Sequence, residues 1–195
     1  ISGDEEARLI HHGVIQAVPF AGARQLIMDI GGGSVEFIIA NKECVFWSRS
    51  FPIGVAVLFN QFHKNDPISL EEQLSINSFL QAQLGPLAAA LSSFPVKNLI
   101  GASGTFDVLE NLLESKEKGK FYAKMDEKYF HPFFKATLTS TLAERLNIDG
   151  IPPARAEMLI VALILIDYII SLADIQDIVV SAFAMKEGIL KEMMK

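Results

Sequence analysis

The amino-acid sequence predicts an α/β domain: a mixed sheet with helices on both faces. Strand-length apolar runs interleave with helical periodicities in the order three strands, helix, strand, helices, strand, helix, as expected of a sheet covered on both sides. The 195 residues suit one domain at about 150 residues per domain, and a chain of this size hides about 70% of its unfolded surface. Hydrophobic residues make up 50% and charged residues 21%, which excludes a largely disordered chain. The single Cys44 excludes an intrachain disulfide and a Cys-based zinc site, so the core must hold the fold.

The elements follow in chain order. Ser2 and Glu5 have capping-box spacing, and Gly13 can end the helix they start, which predicts a helix from about residue 3 to residue 12. Residues 25–30 and 35–40 are apolar strands joined by a Gly31-Gly32-Gly33-Ser34 reversal, and a third strand covers 44–51 with Cys44 inside it. Ser69 with Glu72 caps a helical segment reaching about residue 92, broken or kinked at Gly85-Pro86. Residues 96–100 read as a buried strand, 101–105 as its turn into the next helix, and 116–120 as a solvated loop. Helical periodicity then covers 132–146 and 153–172, before a strand at 177–181 and a terminal helix.

Charge and hydropathy narrow the function classes. With 17 Lys+Arg against 23 Asp+Glu the net charge is -6, and the cations are scattered, which argues against a nucleic-acid binder while leaving local main-chain sites for small anions. Mean hydropathy is +0.31, and its apolar peak, residues 158–173 interrupted by Asp167, is too short to span a bilayer and reads as a buried helix. No secretory signal opens the chain, and a start at ISGDEEA without Met reads as an excised domain or processed product.

The strongest chemical signal is Asp29-Ile30-Gly31-Gly32-Gly33-Ser34-Val35-Glu36. Adjacent glycines let a backbone approach an anion and turn successive N–H groups toward it. The bland alternative is a hairpin whose glycines only supply positive φ. Asp29 closes an apolar strand, where a carboxylate is costly unless it faces a cleft or cation, and Mg2+ is commonly bound by one or two carboxylates plus phosphate oxygens. Gly101-Ala102-Ser103-Gly104-Thr105 is a second glycine turn, with hydroxyls and a helix N-terminus available to an anion, although such turns also use glycine for packing. Glu6 lies in a first helical turn, where the dipole favours the ionised form that a general base needs; Asp4, Glu5 and Glu6 are otherwise ordinary helix-start acids. His11 and His12 point about 100° apart on a helix and do not form a metal-ligand pair. No Ser/His/Asp order or nucleophile elbow is present, so activated water is the expected attacker.

Taken together, Ile1-Ser2-Gly3-Asp4-Glu5-Glu6-Ala7-Arg8, the segment from Asp29 to Glu36, and residues 101–105 resemble the Ppx/GppA family of exopolyphosphatases and guanosine pentaphosphate phosphohydrolases. Residues 151–157 and 181–190 are similar to that family's C-terminal pattern. The resemblance implies a ribonuclease-H-like, actin-like ATPase fold and a single domain over residues 1–195 equivalent to the family's second domain, with the N-terminal companion domain and its phosphate loop absent. It implies Glu6 as the base orienting water and Glu36 as a catalytic or metal-assisting carboxylate. Asp29 would position Mg2+, Gly31, Gly32, Gly33 and Ser34 would bind phosphate, and Gly101, Ser103, Gly104 and Thr105 would form a second substrate-facing loop. Ser103 stands where many relatives have glycine, and Lys186 where arginine is common.

The implied activity is Mg2+-dependent hydrolysis of terminal phosphoanhydrides in polyphosphate or guanosine pentaphosphate. This domain would supply one wall of an interdomain cleft in a cytoplasmic protein without nucleic-acid or membrane partners, compatible with a homodimer; alone it would be inactive or nearly so. Two other classes share the residues: a phosphate or nucleotide sensor that binds without turnover, and an actin-like structural ATPase.

Overall fold

The computed structural model describes residues 3–20 and 22–194. The elements run α1 (Gly3–Ala17), β1 (Gln25–Ile30), β2 (Val35–Ala40), β3 (Val45–Phe51), α2 (Val55–Phe62), α3 (Leu70–Gln83), α4 (Gly85–Ser93), β4 (Asn98–Ala102) and α5 (Gly104–Leu112). They continue with β5 (Ser115–Lys118), β6 (Tyr122–Asp126), α6 (Glu127–Leu138), α7 (Leu142–Leu146), α8 (Pro153–Ala156), α9 (Leu159–Ala173), β7 (Asp177–Ser181) and α10 (Met185–Met193).

The strands form one seven-stranded sheet in the order β3-β2-β1-β4-β7-β6-β5. Strands β1, β4 and β7 are parallel, and every other pair is antiparallel. The predicted mixed sheet with helices on both faces is therefore present, and the β3-β2-β1-β4-β7 part has the ribonuclease-H-like order. One face packs Ile27, Ile38, Ile100 and Val179 against Ala7, Ile10 and Val14 of α1. The other face carries the larger core, with Leu26, Met28, Phe37 and Ile178 under α2, α3, α4 and α9. Most of helix α9 is buried there, as its apolar run predicts, with Asp167 half-buried. Among the described residues no helix is long and apolar enough to cross a membrane.

Several boundaries differ from the expectation for identifiable reasons. Helix α1 continues through Gly13 to Ala17, because Gly13 serves a helix crossing: a Cβ there would lie 1.9 Å from Ala184 O at the start of α10. The predicted Ser2 cap lies outside the described residues. Helix α2 was not predicted, since its eight residues are too few to display a clear period. Residues 116–120 are not simply a solvated loop, as β5 occupies 115–118 at the sheet edge. Its SKEK sequence lacks the usual apolar alternation because an exposed edge strand is protected by lysine. The predicted helix over 132–146 is two, with Thr141 and Glu144 making a capping box for α7, and the one over 153–172 is likewise divided into α8 and α9. Ser69 and Glu72 form the predicted capping box, and α3 ends before Gly85-Pro86 as expected. Cys44 precedes β3 rather than lying inside it; it is exposed and its Sγ donates to Asn41 Oδ1 at 3.5 Å.

Candidate active site

The sheet register brings sequence-distant polar groups into one row. Ser50 on β3 pairs with Glu36 on β2, Glu36 with Asp29 on β1, and Asp29 with Ala102 on β4. This row crosses the carboxyl ends of β1 and β4, the end of a parallel sheet where ligands bind in open α/β folds. Side chains alternate along a strand, so Asp29 shares the face of Ile27, and Glu36 that of Ile38, beneath α1. Glu36 is buried and accepts a 2.7 Å hydrogen bond from Ser50 Oγ. The α1 N-terminus lies over this row, with Gly3 close to Ser50, so Glu6 joins the two strand carboxylates.

The charge of Glu36 acts on both Asp29 and Glu6. Burial pushes Asp29 up to about 7, and the charge of Glu36, with a smaller contribution from Glu6, adds to the shift; the nearby Ser103 hydroxyl dipole opposes it. Glu6 is also raised, by burial first and then by Glu36. Desolvation and the neighbouring acid thus outweigh the helix-start dipole, which alone would lower a Glu at that position. The direction is the one a general base benefits from.

Asp29 makes stability pH-dependent. Its folded value of about 7 lies above the ordinary 3.8, so its favourable contribution is complete below pH 3.8 and is lost as pH rises toward 7. Asp29→Asn is therefore expected to match the wild type near pH 3. At pH 8 without divalent cations it should be more stable, by at most about 4 kcal/mol at about 1.4 kcal/mol per unit. Urea unfolding at both pH values measures the difference.

The triglycine turn is held by α2. Val55 N–H donates to Gly31 O at 3.0 Å, Ala56 N–H to Gly32 O at 2.9 Å, and Gly54 N–H to Gly33 O at 3.1 Å. The otherwise unsatisfied donors at the start of α2 are thus capped by the turn. These peptide bonds are trans, so each N–H points opposite to the carbonyl of its own peptide unit. The N–H groups of Gly32, Gly33 and Ser34 consequently all point away from α2, and among the described residues none of them donates to a main-chain carbonyl. Successive N–H groups aimed one way make an anion-binding concavity.

The bland reading of the glycines does not survive. None of Gly31, Gly32 and Gly33 has positive φ, and a Cβ on Gly32 or Gly33 would meet nothing within 4 Å. Neither backbone conformation nor internal packing requires glycine at those two positions, whereas close approach by an external group would. Gly54, which the sequence did not single out, is the position under steric pressure: a Cβ there would fall 2.4 Å from both C and O of Gly32.

The second loop divides in function. Gly101 is explained by packing, because a Cβ would lie 2.0 Å from the Phe106 ring, and Thr105 is buried. Gly104 opens α5, and the Arg155 guanidinium covers it so closely that a Cβ would fall 2.3 Å from one of its nitrogens. Arg155, an exposed cation on α8, was not predicted as a site residue; its place depends on a contact across 51 sequence positions. Arg145 orders that segment: it is fully buried and its Nε donates to Ala156 O at 3.0 Å. Ser103 holds φ 100° and ψ 166°, a conformation that costs about 1–3 kcal/mol for a residue with a Cβ. His11 is structural, with Nε2 2.7 Å from Asn41 O, and His12 pairs with Glu192 on α10.

Among the described residues no three His, Cys, Asp or Glu side chains form a group able to hold a metal ion. An all-protein cage is therefore not the arrangement on offer. Asp29 beside an anion-facing turn fits the Mg2+ pattern of one or two carboxylates completed by phosphate oxygens and water.

Strand order and the position of these loops at the carboxyl ends of β1 and β4 place the domain in the ribonuclease-H-like, actin-like ATPase class. The model of the Ppx/GppA phosphatase family matches residues 1–195, and the chain belongs to that family. It is 39% identical to the crystal structure of an exopolyphosphatase from Cytophaga hutchinsonii, with a TM-score of 0.92 over 100% of this chain and 64% of that one. It is 29% identical to a guanosine-5'-triphosphate,3'-diphosphate pyrophosphatase from Vibrio atlanticus, over 99% of this chain and 38% of that protein. The Aquifex aeolicus family member shares the fold with a TM-score of 0.85 at 21% identity, over 100% of this chain and 63% of that one. The chain thus spans less than two thirds of the length of these relatives.

Proposed function

We propose that this domain forms one wall of a cleft in which the terminal phosphoanhydride of polyphosphate or guanosine pentaphosphate is hydrolysed. The observation that carries the reading is the set of three N–H groups, of Gly32, Gly33 and Ser34, facing away from α2 beside the Glu6, Asp29 and Glu36 carboxylates. A terminal phosphoryl group seated on those N–H groups has its charge matched by main-chain dipoles that need no rearrangement. Gly104, at the start of α5, and Arg155 lie where a second part of a polyanion can be met.

Glu6 orients a water in line with the scissile bond and receives its proton as the water oxygen bonds to phosphorus and the bridging oxygen departs. Its raised pKa favours proton acceptance, and the arriving polyanion raises it further. Glu36, fixed by Ser50, holds the electrostatic environment of Asp29 and Glu6. Asp29, with phosphate oxygens, would hold Mg2+, which supplies neutralisation of phosphate charge when bound. The companion wall would come from the part of the longer relatives that this chain does not span, and the reading places the protein in the cytoplasm.

The test is phosphate release from polyphosphate and guanosine pentaphosphate by the protein carrying this domain together with its companion, with and without Mg2+. Glu6→Gln is expected to lower turnover by about 10²- to 10⁴-fold, the usual contribution of general-base catalysis, with little change in substrate binding. Full turnover after Glu6→Gln would overturn the assignment of the base. Tight binding by the wild type without any turnover would instead identify a sensor module.

A further inference from the structure

We infer that Ser103 is a positioning residue whose hydroxyl closes the end of the ladder between β1 and β4 and so sets the first peptide of the anion-facing turn. The inference rests on the phosphate reading of that turn. It also moves Ser103 from the substrate-contacting role implied by family resemblance to a supporting one.

The parallel ladder between β1 and β4 ends at the Asp29–Ala102 pair. The next residue of β1, Ile30, still directs its main-chain groups toward β4, because Gly31 on the alternate side donates its N–H to Ser34 O at 2.9 Å. Beyond that pair β4 turns into α5, and among the described residues no main-chain N–H outside the ladder donates to Ile30 O. The Ser103 hydroxyl closes this end of the ladder: Oγ donates to Ile30 O at 3.2 Å, where the ladder offers no further N–H, and also accepts from Ile30 N–H at 3.2 Å.

This contact comes with an unusual backbone. At φ 100° and ψ 166°, Ser103 occupies a conformation that glycine adopts without strain and other residues rarely adopt. Glycine would remove the strain and also the hydroxyl. An outlier of this kind persists only where its surroundings over-determine it, and Ile30 identifies what is gained. Ile30 lies between the Asp29 carboxylate and Gly31, so one hydroxyl fixes the end of the strand that carries the acid and the start of the turn. Helix α2 holds the same turn from its far side through the carbonyls of Gly31, Gly32 and Gly33. The three outward N–H groups are thus supported from two directions, by α2 and by Ser103.

The test uses the 195-residue chain with sodium tripolyphosphate as the probe. Ser103→Ala removes the hydroxyl and keeps the strain, whereas Ser103→Gly removes both. Ile30 amide hydrogen exchange should accelerate about tenfold or more in both variants, the scale of one lost hydrogen bond. Ser103→Ala should melt below Ser103→Gly, because only the former retains the strain. Tripolyphosphate affinity, read from amide shifts of Gly32, Gly33 and Ser34, should fall about tenfold in both variants despite their different stabilities. Affinity that follows melting temperature would overturn the positioning role in favour of general stability. Lost affinity with unchanged Ile30 exchange would overturn it in favour of direct ligation. No shifts in the wild type would refute the phosphate reading of the turn, and unaltered Ile30 exchange in the unliganded variants would then separately refute the clamp.

Discussion

Replacing Gly54 by alanine is expected to cost the chain both stability and anion binding. The new methyl would sit 2.4 Å from C and O of Gly32 and 2.6 Å from C of Gly33, all main-chain atoms that no side-chain rotation can move aside. Either the turn or the start of α2 must shift, and the three hydrogen bonds from Gly54, Val55 and Ala56 N–H stretch or break. Overpacking of about 1–3 kcal/mol together with part of those hydrogen bonds, at about 1 kcal/mol each, gives a loss of roughly 3 kcal/mol. In a protein of this size that corresponds to a fall in Tm of about 6–12 °C. Gly33→Ala is the counterpart, because its added Cβ meets nothing within 4 Å. Its stability should stay within about 0.5 kcal/mol of the wild type, while its methyl narrows access to the N–H groups and weakens tripolyphosphate binding. Thermal unfolding and amide titration of the two variants separate the architecture of the turn from its exposed surface. A Gly54→Ala chain with wild-type Tm would show that α2 does not hold the turn.

Gly188→Ala should have the second large effect, where α10 crosses the middle of α1. A Cβ at Gly188 would lie 1.9 Å from Leu9 O, and one at Gly13 would lie 1.9 Å from Ala184 O, so α1 and α10 meet through their backbones. The alanine forces the helices apart, and α1 lifts Ala7, Ile10 and Val14 from the sheet face they cover. A loss of about 2–4 kcal/mol is expected from overpacking plus partial re-exposure of that face. Glu6 rides on the same helix, so phosphate release by the protein with its companion domain should fall at least about tenfold, the consequence of misplacing a reacting group by an ångström or less. The nearby Glu192 ion pairs with Arg8 and His12 are partly exposed and screened by solvent, so Glu192→Gln should cost far less. Urea unfolding of the two variants distinguishes backbone contact from charge as the source of the helix crossing. Equal destabilisation by both substitutions would contradict this ranking.

Much of the site was legible where its chemistry is contiguous. Asp29, the triglycine turn and Glu36 lie within eight consecutive residues, and the two-residue strand period places the acids on one face once those strands pair. Glu6 was visible as a helix-start acid, but its raised pKa was not, because that comes from Glu36 across the α1–sheet interface. Gly101 looked equivalent to the glycines of the first turn, yet its absent side chain makes room for Phe106. Gly54 showed no motif at all, since its importance arises from an approach to Gly32 across 22 positions. Gly13 was misread as a helix stop for the same reason, its partner being Ala184 at the far end of the chain.

By itself, the order of apolar runs determined a mixed α/β sheet, and the local glycine and carboxylate spacing marked where the candidate site lies. Those properties follow from chain-local geometry: side-chain period, capping chemistry and peptide flexibility. Only tertiary structure decided the direction of the turn's N–H groups, the mutual charge of Glu6, Asp29 and Glu36, and the strained conformation of Ser103. Each depends on which backbone lies across the gap, and close approach between distant segments leaves no periodic trace in sequence. Carbonyl capture by α2, burial beneath α1 and the end of the β1–β4 ladder convert an ordinary strand reversal into a charged, outward-facing candidate site.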